Sequence, residues 1–193
     1  MATCFIPGIE VEDSIEKEGV TITISGLTGS GKSSLAEFLS KELELKHITI
    51  GKIFRDIAEE RGIDIAEYDK ISEEAVNKEA DKRTLQLSIT GGYVIEGRLA
   101  SLASGKYSDL KIFLTAPIEV RAERVSKRNN ISFDAAFHKV EERDKAVTKR
   151  YMDLYGIDLL DLSIYDLVLN NEKISKDETG ELVLYIIKKM LKI

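Results

Sequence analysis

Hydrophobic and polar positions alternate over Val20-Thr21-Ile22-Thr23-Ile24, then give way after a glycine-rich segment to helical spacing at Leu35-Ala36-Phe38-Leu39. The first pattern predicts a β-strand and the second an α-helix from Lys32 to about Glu44. A short strand follows near His47-Ile48-Thr49, and then a helix from Lys52 to Arg61 that Gly62 closes. Residues 69–88 form a polar helical stretch with few apolar anchors, among them Ile71, Ala75, Val76 and Leu85, which predicts a poor core helix and a mobile flap. Tyr93-Val94-Ile95, after Gly91-Gly92, and Leu110-Lys111-Ile112-Phe113-Leu114 predict buried parallel strands, the second followed by a helix opening at Pro117. A charged helix is expected from Ser132, its N-cap, to about Tyr155, with Gly156 as the stop. Asp166-Leu167-Val168-Leu169 supplies the last strand, and Ser175-Lys176-Asp177-Glu178 a capping box for the C-terminal helix. Strands interleaved with helices predict an α/β fold of three layers, a five-stranded parallel sheet flanked by helices. Residues 1–19, with Pro7, Gly8 and Gly19, precede it as an N-terminal arm, and 20–193 read as one domain.

The segment between the first strand and the first helix reads Gly26-Leu27-Thr28-Gly29-Ser30-Gly31-Lys32-Ser33, a G-x-x-x-x-G-K-[ST] loop, followed by Ser34. Glycines there let backbone N–H groups approach a polyphosphate, and the helix N-terminus adds partial positive charge. Lys32 is placed to reach the β- and γ-phosphates and the Ser33 hydroxyl to sit on Mg²⁺. The fold is therefore expected to be of the P-loop NTPase kind, with Gly26 to Ser34 binding ATP. Other ligand groups are expected at the carboxyl ends of the remaining strands.

Composition narrows the function. A chain of 193 residues that is 43% hydrophobic can bury one sizeable core. Its formal net charge of −6 argues against a general nucleic-acid binder, so an anionic ligand must meet a local cluster of cations. The single cysteine, Cys4, excludes an internal disulfide, and no apolar run approaches a membrane span. Glu10, Glu12 and Asp13 near the start argue against a secretory signal, so a cytoplasmic location is expected. His47 and His138 have no metal-ligand spacing.

Taken together, the blocks GLTGSGKSS (26–34), GKIFRDIAEERG (51–62), YVIEGRLAS (93–101), DLKIFLTAPIEVRAERVSKR (109–128) and ERDKAVTKRYMDLYGIDLLDLSIYDLVLNN (142–171) resemble the nucleoside monophosphate kinases. The similarity is greatest to the short, archaeal-type cytidylate kinases and spans roughly residues 20–193. It implies transfer of the γ-phosphoryl group of ATP to CMP, and to dCMP, with Mg²⁺ as cofactor and the two nucleotides as small-molecule partners. It implies a nucleotide-binding flap at about 50–88 and a lid at about 129–156. No protein partner, nucleic acid or membrane is indicated.

The resemblance also assigns roles. Arg55 and Arg98 would clamp the acceptor phosphate, a bidentate task suited to guanidinium. Glu96 would hold a water on the metal, or else form a structural ion pair with Arg98. Arg124 would stack on the donor adenine and Arg128 reach phosphates. Arg143 and Arg150, seven residues apart and so on one helical face, would join Lys32 as the transition-state cations, with Lys149 and Asp144 as lesser candidates. Asp81 and Arg83 would contact the acceptor base. Arg121, which shares a face with Arg124 and Arg128, reads as a solvated residue paired with Glu119 and Glu123. Thr49-Ile50-Gly51-Lys52 departs from the Ser-Thr-Gly-Asp of many relatives, displacing a base-contacting hydroxyl to Thr49 or losing it.

Two other readings compete. The acceptor could be UMP, AMP or shikimate. The chain could also be a nucleotide-driven switch, but the nearest match to a guanine-reading N-K-x-D is Asn77-Lys78-Glu79-Ala80, which lacks the aspartate, and a switch has no use for Arg55 and Arg98.

Overall fold

The computed structural model describes residues 17–62 and 74–193. Its sheet contains β1 (Thr21–Gly26), β2 (Lys46–Thr49), β3 (Tyr93–Glu96), β4 (Leu110–Thr115) and β5 (Leu167–Asn170), all parallel, in the order β2-β3-β1-β4-β5. The helices are α1 (Lys32–Glu42), α2 (Ile50–Glu60), α3 (Glu74–Thr90), the short α4 (Ala100–Ser104), α5 (Ile118–Asn129), α6 (Phe133–Tyr155) and α7 (Lys176–Leu191). Because β1 lies between β3 and β4, the ends of these three strands share one edge. Ile24 pairs in register with Glu96, and Gly26 with Leu114. That edge, where the strand order switches, is where ligands of open α/β sheets collect.

Packing explains why β1 is central. Ile22 and Ile24 pack with Leu35, Ala36 and Leu39 of α1 and Val183 and Ile187 of α7, all buried. Each leucine, isoleucine or valine so removed from water contributes about 1.5–3 kcal/mol. The other face of β1, Thr21, Thr23 and Ser25, is equally buried. Its hydroxyls are satisfied internally, as burial demands. Thr23 Oγ1 lies 2.9 Å from Ser101 Oγ and 2.8 Å from Ser108 Oγ, and Ser25 Oγ donates to Ser101 Oγ at 2.9 Å. A second core on the β3 side joins Ile53, Phe54 and Ile57 of α2 and Val76 and Ala80 of α3 with Ile95.

Most predicted elements are present, with shifted ends. α1 stops at Glu42, before Glu44 adopts φ +55°. α2 starts at Ile50 because Thr49 caps it, accepting the Lys52 N–H at 3.0 Å. Ser132 and Gly156 bound α6 as expected, and the Ser175–Glu178 capping box opens α7. α3 corrects the expectation of a poor core helix. Val76, Ala80, Leu85 and Ile89 are buried, and so are Asn77, Asp81, Thr84 and Ser88. The Thr84 and Ser88 hydroxyls donate to the carbonyls one turn back, at 2.8 Å each, so these two face inward with their donors satisfied. Residues 1–16 of the expected arm, including Cys4, and residues 63–73 of the flap, including Ile71, lie outside the described residues. From the start of the described chain, Lys17 bonds Asp109 at 2.5 Å.

Candidate active site

The phosphate loop is fitted against two neighbours. Gly26 has φ +145°, and a Cβ there would lie 2.3 Å from the Leu114 carbonyl oxygen. Gly29 has φ +81°, and a Cβ there would lie 2.6 Å from the Arg121 carbonyl oxygen. Only glycine allows the loop to run this close to β4 and α5. At the start of α1, Lys32 Nζ donates to Leu27 O at 2.8 Å. Burial lowers the Lys32 pKa to about 8, and Glu96 opposes that shift. Beside it, Ser33 Oγ donates to Glu96 Oε1 at 2.9 Å. Glu96 ends β3 and is 6% exposed, so its carboxylate is held against the loop. A hydroxyl and a carboxylate oxygen side by side at a phosphate cradle form a donor set of the hard kind that Mg²⁺ takes.

A cavity of about 370 Å³ opens on the outer side of the loop, lined by Gly29, Gly31, Ser34, Arg124, Arg128, Asn171 and Lys176. Arg124 NH1 donates to Asn171 Oδ1 and NH2 to Asn171 O, both at 2.9 Å, and Asn171 Nδ2 donates to Ser30 O at 2.9 Å. Burial lowers the Arg124 pKa from its ordinary value. Arg128 stays exposed on the same wall, its Nε donating to Asn129 Oδ1 at 3.3 Å. Asn171 is 4% exposed and was missed by the sequence analysis. Its signal was its place just past the carboxyl end of the last strand, where ligands of such sheets collect.

Thr28 is the most heavily engaged loop residue. Arg98 NH2 donates to its Oγ1 at 3.3 Å, bringing this arginine to the loop. The Thr28 N–H donates to Asp144 Oδ1 at 3.2 Å, and the Thr28 carbonyl accepts from Arg121 NH1 at 3.0 Å. The same Arg121 nitrogen donates to Asp144 Oδ2 at 2.5 Å, and Arg121 Nε to Ala116 O at 3.0 Å. Arg121 is thus a correction. It is buried rather than solvated, and its partner is Asp144 of α6, not Glu119 or Glu123. Glu96, Arg98, Asp144 and Arg121 all act on Lys32, so five side chains able to carry charge gather at this part of the loop.

The remaining predicted residues separate. Arg55 is exposed on α2, the helix that follows β2. Asp81 is buried on α3 and accepts from the Tyr155 hydroxyl at 2.9 Å; burial pushes its carboxyl up to about 7. Arg83 is not gathered with them. Its guanidinium is turned to Glu60, with bonds of 2.9 and 2.6 Å, and to Glu79 at 2.9 Å. The Thr49 hydroxyl is occupied as the α2 cap. Arg143 and Arg150 are half-buried on α6, and Lys149 is exposed. Asn77-Lys78-Glu79-Ala80 lies within helical α3. Among the described residues no helix is long and apolar enough to cross a membrane.

Residues 21–173 match the model of the cytidylate kinase-like family. The chain is 44% identical over 171 residues to a cytidylate kinase of Methanopyrus kandleri, covering 83% of this chain and 89% of that one. It is 47% identical over 163 residues to a cytidylate kinase of Pyrococcus horikoshii, covering 83% and 84%. In structure it resembles a shikimate kinase from Acinetobacter baumannii, with a TM-score of 0.60 at 13% identity, covering 90% of this chain and 95% of that one. The last likeness speaks to the fold alone. A family match running over 21–173 and relatives sharing more than two-fifths of their residues across most of both chains leave one conclusion: the chain belongs to the cytidylate kinase-like family.

Proposed function

We propose that this protein transfers the γ-phosphoryl group of ATP to CMP, and to dCMP, giving the diphosphate and ADP in the cytoplasm. The observation that carries the reading is the convergence of Arg98 and Asp144 on Thr28 of the phosphate loop, beside Lys32 and Glu96. Adenine and the donor phosphates take the cavity walled by Arg124 and Arg128. An oxygen of the acceptor phosphate attacks the γ-phosphorus as the bond to the β-bridging oxygen breaks, and the electron pair leaves with ADP. Such a reaction asks the protein for position and charge more than for covalent chemistry. Lys32 neutralises the moving group. Arg98 and Arg55 hold the acceptor phosphate, and Arg143 and Arg150 close over the transfer point. Ser33 and, through water, Glu96 would hold Mg²⁺, which when bound neutralises phosphate charge. The buried Asp81 ties α3 to Tyr155 of α6 beside the acceptor site, while Arg83 braces α3 against α2 through Glu60 on α2.

Kinetics of four variants test the division of labour. Arg143→Ala and Arg150→Ala are expected to lower kcat by about 10² to 10⁴-fold, near the range for stabilising arginines in phosphoryl transfer. Arg55→Ala and Arg98→Ala are expected to raise the KM for CMP most. A normal kcat in the α6 variants, or an unaltered KM in Arg98→Ala, contradicts the assignment.

A further inference from the structure

Two opposite charges sit on the buried stripes of successive helices. On α5 the buried residues are Arg121, Ala122 and Val125, and on α6 Asp144 lies between the buried Val140 and Val147 on the same face. The two side chains are 7% and 13% exposed, so most of their hydration is gone. A buried ion pair gives little net stability over apolar residues of the same shape, and a stability role alone does not account for it. What the pair does hold is one residue of the phosphate loop, Thr28, by the peptides on both sides of it. Asp144 takes the N–H of Thr28 and Arg121 fills its carbonyl, while Arg121 is itself fixed by Ala116 O at the end of β4. The backbone of Arg121 also abuts Gly29. Position 144 precedes Arg150 by six residues and follows Arg143 directly, so whatever sets Asp144 sets the azimuth of both arginines.

We propose that Arg121 is a positioning residue for the transfer step: by gripping Asp144 it locks the register of α6 to the backbone of Thr28, aiming the α6 arginines at the transferring group. The inference rests on the reading of the chain as a CMP kinase. Arg121 needs no contact with either substrate to do this. A displacement of about 1 Å at the reacting atoms can cost on the order of 10²-fold in rate, so the lock is felt in kcat and not in acceptor binding. It is also felt in the fate of the phosphoryl group, because a misaligned lid admits water to a group it no longer hands to the acceptor.

The test compares Arg121→Met, Arg121→Lys, Asp144→Asn and the double variant Arg121→Met/Asp144→Asn with wild type, after circular dichroism has confirmed folding. CDP formation and acceptor-free ATP hydrolysis are measured separately. Arg121→Met is expected to lose about 10²-fold in kcat with the KM for CMP within about threefold. Lysine keeps the charge but puts one nitrogen where arginine has Nε for Ala116 O and NH1 for Thr28 O and Asp144, so Arg121→Lys recovers only part, to about tenfold below wild type. The double variant is expected to be no worse than about threefold below the poorer single variant, since the two act as a unit. The ratio of hydrolysis to transfer is expected to rise about tenfold, again on the scale of that misalignment. A merely structural role lowers both activities together and leaves the ratio unchanged, which overturns the inference, as does a kcat within twofold of wild type. Should Arg121→Met not fold, Arg121→Lys and Asp144→Asn carry the same two readouts. Wild type that makes no CDP sinks the CMP reading and this inference with it, whereas active wild type with unaltered variants sinks this inference alone.

Discussion

The Asp81 carboxyl accepts a hydrogen bond from Tyr155, which favours its ionised form, yet it is 1% exposed and burial raises its pKa to about 7. Between pH about 4, where an unfolded aspartate ionises, and pH about 7, the folded protein keeps a proton that the unfolded chain has lost. This group therefore stabilises the fold least at high pH. Stability falls as pH rises through that window and levels off above it, by on the order of 4 kcal/mol for a shift of about three units. Asp81→Asn keeps an acceptor for Tyr155 and removes the ionisation. Its melting temperature relative to wild type is expected to climb between pH 5 and pH 8, as read by thermal denaturation at each pH. A constant difference would show that Asp81 titrates normally. At this scale the sequence was informative where a motif names its chemistry, as at Lys32 and Ser33. It misled at Arg121, where three arginines in i, i+3, i+7 spacing looked like a solvated face. The better signal was that Arg121 falls three residues after Ile118 and four before Val125, and Asp144 four after Val140 and three before Val147. A charge on each of two apolar stripes predicts a pair between them.

Elements were legible where local chemistry sets their ends. Ser132, Gly156 and the Ser175–Glu178 box satisfy backbone groups that any helix end leaves open, so those boundaries follow from a few residues. α3 was misjudged because threonine and serine count as polar in a periodicity, although their hydroxyls can be buried by bonding the preceding turn. The close approach of α7 to α1 was also invisible, since nothing local marks Gly180 as a contact. A Cβ on Gly180 would meet the Phe38 ring at 2.8 Å. Gly180→Ala must therefore push α7 from α1 or turn the ring, at about 1–3 kcal/mol for overpacking. For a chain of this length the melting temperature is expected to drop by roughly 2–12 °C. A melting temperature equal to or above that of wild type would mean that the overlap costs no more than the roughly 1 kcal/mol alanine gains over glycine inside a helix.

At the scale of the whole molecule, the parallel sheet and its class followed from strands interleaved with helices, but the strand order did not. Which strand flanks β1 depends on how long crossovers fold back, and no local pattern encodes it. That order brings Glu96 to Ile24 in register, and so puts a carboxylate beside Ser33 across a gap of 63 residues. It also brings Asn171, far along the chain, to the wall of the cavity beside the phosphate loop. The site is thus a product of topology, and its assembled charges suit two phosphate-bearing substrates. The acceptor base is a separate matter of hydrogen bonding. A site that bonds a cytosine edge rejects other bases by leaving its own polar groups unpaired, a penalty of several kcal/mol. The most direct measurement is kcat/KM for ADP release with CMP, dCMP, UMP, AMP, GMP and shikimate under one set of conditions. CMP is expected to be highest with dCMP within about tenfold, since cytosine recognition is common to both, and a faster turnover of AMP or shikimate would contradict the account.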